Sequence, residues 1–138
     1  MQELSIDTSD RLLRRTLTAN AAFSTLCGIV LIAFAGPLAT LMGEVPSWLL
    51  LVVGIALFPF ALGIALNLRR QALNLTEARL TVIMDFGWVV GSIGVIALFR
   101  DQLTLIGMDL ILGVAIVVAI FGTLQTIGVR RIETLAAA

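Results

Sequence analysis

Residues 80–99 read LTVIMDFGWVVGSIGVIALF, an uninterrupted run bounded by Arg79 and Arg100. The hydrocarbon core of a bilayer asks for about 20 apolar residues in an α-helix, so this run has the length of one crossing. Its single charge is Asp85. Eleven Leu, Ile, Val and Phe residues, each favouring insertion by about 0.3–0.6 kcal/mol, outweigh a central acid that costs roughly 3 kcal/mol. The segment is expected to insert with its carboxyl group.

Three further stretches have the same character, at 18–41, 47–67 and 104–128. The composition of the 138 residues agrees: 59% are hydrophobic and 13% charged, where soluble proteins carry roughly 45–50% and 25%. Too little polar surface remains to cover a soluble globule. The expected fold is all-α and integral to the membrane, a four-transmembrane-helix bundle forming one membrane domain over 1–138. Gly36-Pro37 should bend or end the first helix, and Pro59 removes a backbone donor from the middle of the second and should kink it. The fourth span is expected to run from Thr104 to Gly128 and to be ended by Arg130-Arg131.

Arginine placement gives the orientation. All nine basic residues are Arg. Arg11, Arg14 and Arg15 precede span one, Arg69, Arg70 and Arg79 lie between spans two and three, and Arg130 and Arg131 follow span four. Only Arg100 falls on the other side. The positive-inside rule therefore predicts that both termini are cytoplasmic. The outer face reduces to two short turns, Gly43-Glu44-Val45-Pro46 and Arg100-Asp101-Gln102, with Trp48 as an interfacial anchor. A cleaved signal peptide, with Ala33 and Ala35 at its site, is the weaker reading of span one, because the region before it is long and acidic.

Asn74-Leu75-Thr76 matches a glycosylation sequon but lies on the predicted cytoplasmic side. It reads better as a helix start, with Asn74 the N-cap and Glu77 three residues later, a variant of the capping box. Thr8-Ser9-Asp10 suggests a similar cap before span one. The two halves of the chain (11–70 and 74–131) also look alike. Leu17-Thr18, Phe23 and Gly28 recur at Leu80-Thr81, Phe86 and Gly91, while Leu51–Ala56 with Gly63 recurs as Leu110–Ala115 with Gly122. Two spans per half would make a parallel tandem repeat of helical hairpins about an axis along the membrane normal.

Missing residues exclude chemistry. With no Lys there is no Schiff base, and with no His there is neither imidazole ligation of haem or zinc nor the usual general base. Cys27, the only cysteine, cannot form an intrachain disulfide or redox pair; it reads as a small packing residue. Balanced charge with scattered Arg gives no nucleic-acid footprint. No cofactor and no metal are expected.

Span three carries most of the remaining information. Thr81, Asp85, Trp88 and Ser92 share one helical stripe. Gly87, Gly91 and Gly94 form a second, where another helix of the same chain or of a different one could approach closely. A rise of 1.5 Å per residue puts Asp85 about 9 Å past Arg79, in the cytoplasmic third. Asn20 and Ser24 on span one, Asn67 near the end of span two, and Gln125 and Thr126 on span four lie at similar depth. Lipid offers such groups no partner, so they should face inward as one polar layer.

Asp85 could then bind a proton, a cation or a cationic ligand in a pocket open to the cytoplasm. Interhelical hydrogen bonding explains Asn20, Ser24 and Gln125 equally simply. Two functions of different class follow. One is a non-catalytic binding or assembly module whose partners are the bilayer and a second copy or another membrane protein. The alternative is a small, oligomeric proton- or cation-coupled transporter or channel using Asp85. An enzyme on lipid substrates is least supported, since only Asp85, Glu77 and nearby arginines could serve it. Abundant Ala and Arg without Lys point to a bacterial inner membrane.

Overall fold

A computed structural model of the chain describes residues 2–137. The helices are α1 (Gln2–Ala33), α2 (Ala35–Met42), α3 (Ser47–Leu68), α4 (Leu75–Leu98) and α5 (Leu105–Ala137), with a 3-10 turn at Arg100–Gln102. No strand occurs among the described residues; Gly43 and Leu103 form one isolated bridge. Four helices are long and apolar enough to cross a membrane: Asp7–Ala33, Ser47–Leu68, Leu75–Leu98 and Leu105–Ala137. α1 packs along α3 and α5, and α4 packs along α5, whereas α3 and α4 approach each other little.

The break between α1 and α2 follows from Pro37. Its nitrogen cannot donate to the Ala33 carbonyl, and the ladder gives way there, with Phe34 at φ −120°. The chain stays helical on either side, since Phe34 N donates to Val30 O and Leu38 N to Phe34 O, both at 2.9 Å. Pro59 by contrast sits inside a continuous α3.

Two expected boundaries move. α1 runs straight through Thr8-Ser9-Asp10 instead of starting there. Asp7 pairs with Arg11 and Asp10 with Arg14, each at 2.8 Å and one turn on, so these acids support a helix already under way. α5 likewise continues past Arg130-Arg131 to Ala137, where Glu133 forms an ion pair with Arg79 of α4.

The Asn74 N-cap is present, its Oδ1 accepting from Thr76 N at 3.0 Å and Glu77 N at 3.2 Å. The capping box is not completed by Glu77, which takes Arg70 at 3.1 Å. Asn67 replaces it: its Oδ1 accepts from Asn74 N at 2.8 Å and its Nδ2 donates to Asn74 O at 3.1 Å. Arg14 completes this end by donating to the carbonyls of Leu68, Arg70 and Gln71 at 3.1, 3.1 and 2.6 Å. A cation thereby caps the C-terminus of α3. Arg14→Gln is expected to cost about 1–2 kcal/mol, as charge-assisted bonds to three carbonyls are lost. Melting in detergent micelles checks this, with the exposed Arg15→Gln as control.

At the opposite end the two loops are stitched together. Glu44 N donates to Gln102 O and Thr104 N to Met42 O, both at 2.9 Å. The Thr104 hydroxyl donates to Leu41 O at 2.7 Å and accepts from Gly107 N at 3.0 Å, capping α5 while holding the end of α2. Gly43 turns the chain at φ +119°, a conformation that favours glycine.

The glycines aligned by the apparent duplication pack unequally. Gly28 and Gly54 face each other where α1 crosses α3: a Cβ on Gly28 would stand 3.0 Å from Gly54 O. Their counterparts Gly91 and Gly113 have nothing within 4 Å of such a Cβ. Gly122 is tight against Phe86 while its counterpart Gly63 is open.

Candidate functional site

Four polar side chains from three helices meet inside the bundle. Asn20 Nδ2 of α1 donates to Asp85 Oδ2 of α4 at 2.8 Å, and Gln125 Nε2 of α5 donates to the same oxygen at 3.0 Å. Ser24, one turn beyond Asn20, donates to Asn20 Oδ1 at 3.2 Å. Asp85 is 3% exposed, Asn20 1% and Gln125 0%. The carboxyl group reaches α5 because Gly122 lacks a side chain there; an added Cβ would lie 3.5 Å from Asp85 Cβ and 3.1 Å from the Phe86 ring. Phe23 and Phe121, with ring centroids 5.7 Å apart and planes inclined at 65°, join α1 to α5 beside the layer.

Two apolar clusters enclose this centre. Leu13, Leu17, Ile64, Ala78 and Val129 pack between it and the end that holds the termini. Ala35, Ala39, Met42 and Leu50 form a second cluster near the stitched loops. Leu17 is one turn before Asn20, and Val129 one turn after Gln125. The polar layer is therefore buried where a pocket open at that end was expected, because large aliphatic side chains of α1, α3 and α5 pack with Ala78 of α4 across that end.

The other expected members behave differently. Asn67 is buried but belongs to the α3–α4 loop clasp, about one turn too far along α3 to join Asp85. Thr81 and Ser92 are buried beside Asp85 on α4, yet donate to the carbonyls of Glu77 (3.2 Å) and Trp88 (2.8 Å) on their own helix. Such i−4 bonding satisfies a hydroxyl without any interhelical partner. Thr126 does the same with Gly122 O at 2.7 Å. Trp88, at 37% exposed, turns to the edge of the bundle. Sequence reasoning missed Arg14, Gly122 and Thr104. A small residue three positions before Gln125 was the one available signal for Gly122.

Gly87, Gly91 and Gly94 make no close approach within the chain, since nothing lies within 4 Å of a Cβ added at any of them. With Ile83, Val90 and Leu98, all well exposed, they form the outward face of α4, opposite Asp85. The tight helix crossings use Gly28, Gly54, Gly107, Gly122 and Gly128 instead.

Chemically the centre is one carboxyl group accepting two amide N–H bonds on one oxygen, with no cation paired to it among the described residues. No three acidic or cysteine side chains converge as a metal cluster there. The carboxyl group is the proton-binding group of this centre, and Gln125 Oε1 beside it has no hydrogen-bond partner. Comparison with protein-family models, with curated proteins and with solved structures returns no match. Fold and site thus define a class, an all-helical chain with four membrane-spanning-capable helices around one buried acid.

Proposed function

We propose that this is a small, non-catalytic, multi-pass membrane protein, of the bacterial inner membrane, that acts as a binding or assembly module. The observation that carries the reading is the outward face of α4. Its glycines stand open to any neighbour, and small residues of this spacing let two helix backbones approach closely in lipid. A second copy of the chain is the first partner to test. Gly91→Leu should abolish dimer cross-linking in liposomes while leaving the melting of the bundle unchanged, because the new side chain meets nothing within the chain. A wild-type chain that is monomeric in liposomes would sink the reading.

Eight of nine arginines at one end support both termini being cytoplasmic. In a Cys27→Ser background, Glu44→Cys should label from the outer side of intact cells and Ala137→Cys only after permeabilisation. The reverse pattern would invert the topology.

A second reading is favoured by the buried carboxyl group of Asp85 without a cationic partner: proton- or cation-coupled transport, as an oligomer. An intramembrane acid is a functional hypothesis by default. Asp85→Asn should then remove proton or cation flux from reconstituted liposomes, and equal flux with the variant would dismiss it.

A further inference from the structure

Gln125 presents an imbalance that the hydrogen bonds described above do not resolve. Its side chain is fully enclosed, its Nε2 donates to Asp85 Oδ2 at 3.0 Å, and its Oε1 has no hydrogen-bond partner. A buried, unpartnered acceptor is costly and calls for a specific explanation. The two amide donors at the centre both go to Asp85 Oδ2, and neither serves Oδ1.

An amide and a carboxyl group are both planar forks carrying two heteroatoms on one carbon. When the two forks lie face to face and an amide N–H donates to one oxygen of a carboxylic acid, the amide oxygen can accept from the other. A proton on that second oxygen closes a ring of two hydrogen bonds. Without it, two acceptors are left with no hydrogen between them.

We propose that Asp85 and Gln125 form a buried acid–amide pair, with a proton held on Asp85 Oδ1 and donated to Gln125 Oε1, so that the middle of the bundle is a proton-binding site. Every oxygen of the four side chains then has a partner. Ser24 donates to Asn20 Oδ1, Asn20 and Gln125 donate to Asp85 Oδ2, and the acid proton goes to Gln125 Oε1.

The surrounding charges agree. On α1, Arg11 pairs with Asp7, Arg14 is engaged by Asp10 and the loop carbonyls, and Arg15 is exposed. On α4, Glu77 pairs with Arg70, and Arg79 with Glu133 of α5. Arg130, Arg131 and Asp109 of α5 are exposed, and α3 has no charged residue from Ser47 to Leu68. Among the described residues no cation faces Asp85 from any element packed against it, so a neutral acid needs no counter-charge where a carboxylate would lack one.

The inference rests on the second reading above and narrows it from proton or cation to proton. Infrared spectroscopy of the full chain in liposomes at pH 7 tests it. A protonated-carboxyl C=O band is expected, moved to lower frequency by carboxyl-13C aspartate and absent from Asp85→Asn. In Gln125→Leu the band should persist at higher frequency, because a hydrogen bond to the acid is lost. Labelled wild-type protein shows whether any aspartic acid is protonated even if both variants misfold, and absence of a shifted acid band there overturns the proposal. A spectrum with carboxylate bands alone, or an acid band that survives Asp85→Asn, overturns the proton site. Sodium flux beside an ionised Asp85 would overturn the site and spare the transport reading; an intact acid band with no flux would support the site and remove transport.

Discussion

Gly107→Val should cost about 3 kcal/mol or more and lower the melting temperature of the protein in detergent well below that of glycine replacements on the open helix faces. A Cβ at this position would lie 2.5 Å from Met42 O, 2.9 Å from Met42 Cα and 3.1 Å from its carbonyl carbon. All three are backbone atoms, so no side-chain rotation relieves the overlap. Met42 cannot retreat cheaply. Its carbonyl accepts from Thr104 N, the Leu41 carbonyl accepts from the Thr104 hydroxyl, and Glu44 N is bound to Gln102 O. Overpacking of a tight site costs typically about 1–3 kcal/mol and more where the backbone must shift. The loss must also exceed the gain of up to about 1 kcal/mol that a helical glycine usually gives when replaced. Gly113→Val on the same helix is the control, since its added atoms meet nothing within 4 Å. If Gly107→Val and Gly113→Val melt together, the stitching of the two loops does not hold α2 against α5.

That contrast shows where the sequence was legible. The existence of four apolar spans could be read because bilayer thickness asks for runs of that length, though the ends of α1 and α5 could not, and Asn74 because its cap is a local pattern of three residues. Asp85, Asn20, Ser24 and Gln125 could be grouped by depth alone, since lipid gives polar groups no alternative to one another. Glycines were not legible in the same way. Gly28 and Gly91 look equivalent in the apparent duplication, yet one is pressed against α3 and the other faces outward. Which helix approaches which is a long-range outcome, absent from any local pattern. Asn67 and Arg14 were obscure for the same reason. Each binds backbone that the chain brings back only through the α3–α4 loop, and Arg14 was read as charge for orientation, not as the cap of a distant helix. Thr8-Ser9-Asp10 resembled a start signal because capping residues and i,i+4 ion pairs draw on the same side chains.

The second large effect concerns Asp85, and its value lies in comparing two variants. Asp85→Leu keeps a side chain of similar reach but leaves Asn20 Nδ2 and Gln125 Nε2 without their acceptor, in a centre where both residues are at most 1% exposed. Each stranded donor costs about 1–3 kcal/mol, so a loss of about 2–6 kcal/mol is expected, less whatever relaxation admits water. Asp85→Asn has the opposite logic. The amide oxygen can still accept from Asn20 and Gln125, and its NH2 group can donate to the otherwise orphaned Gln125 Oε1. An asparagine thus reproduces each hydrogen bond of a protonated aspartic acid with one N–H to spare, and should melt within about 1 kcal/mol of wild type. If Asp85 were instead ionised at rest, the same substitution would remove an uncompensated buried charge and should stabilise the bundle appreciably. Denaturation of the three proteins in one detergent therefore reads two things: the fall from Asp85→Asn to Asp85→Leu measures the cost of stranding two amides, and the sign of the step from wild type to Asp85→Asn reports which form of the carboxyl group the folded bundle holds.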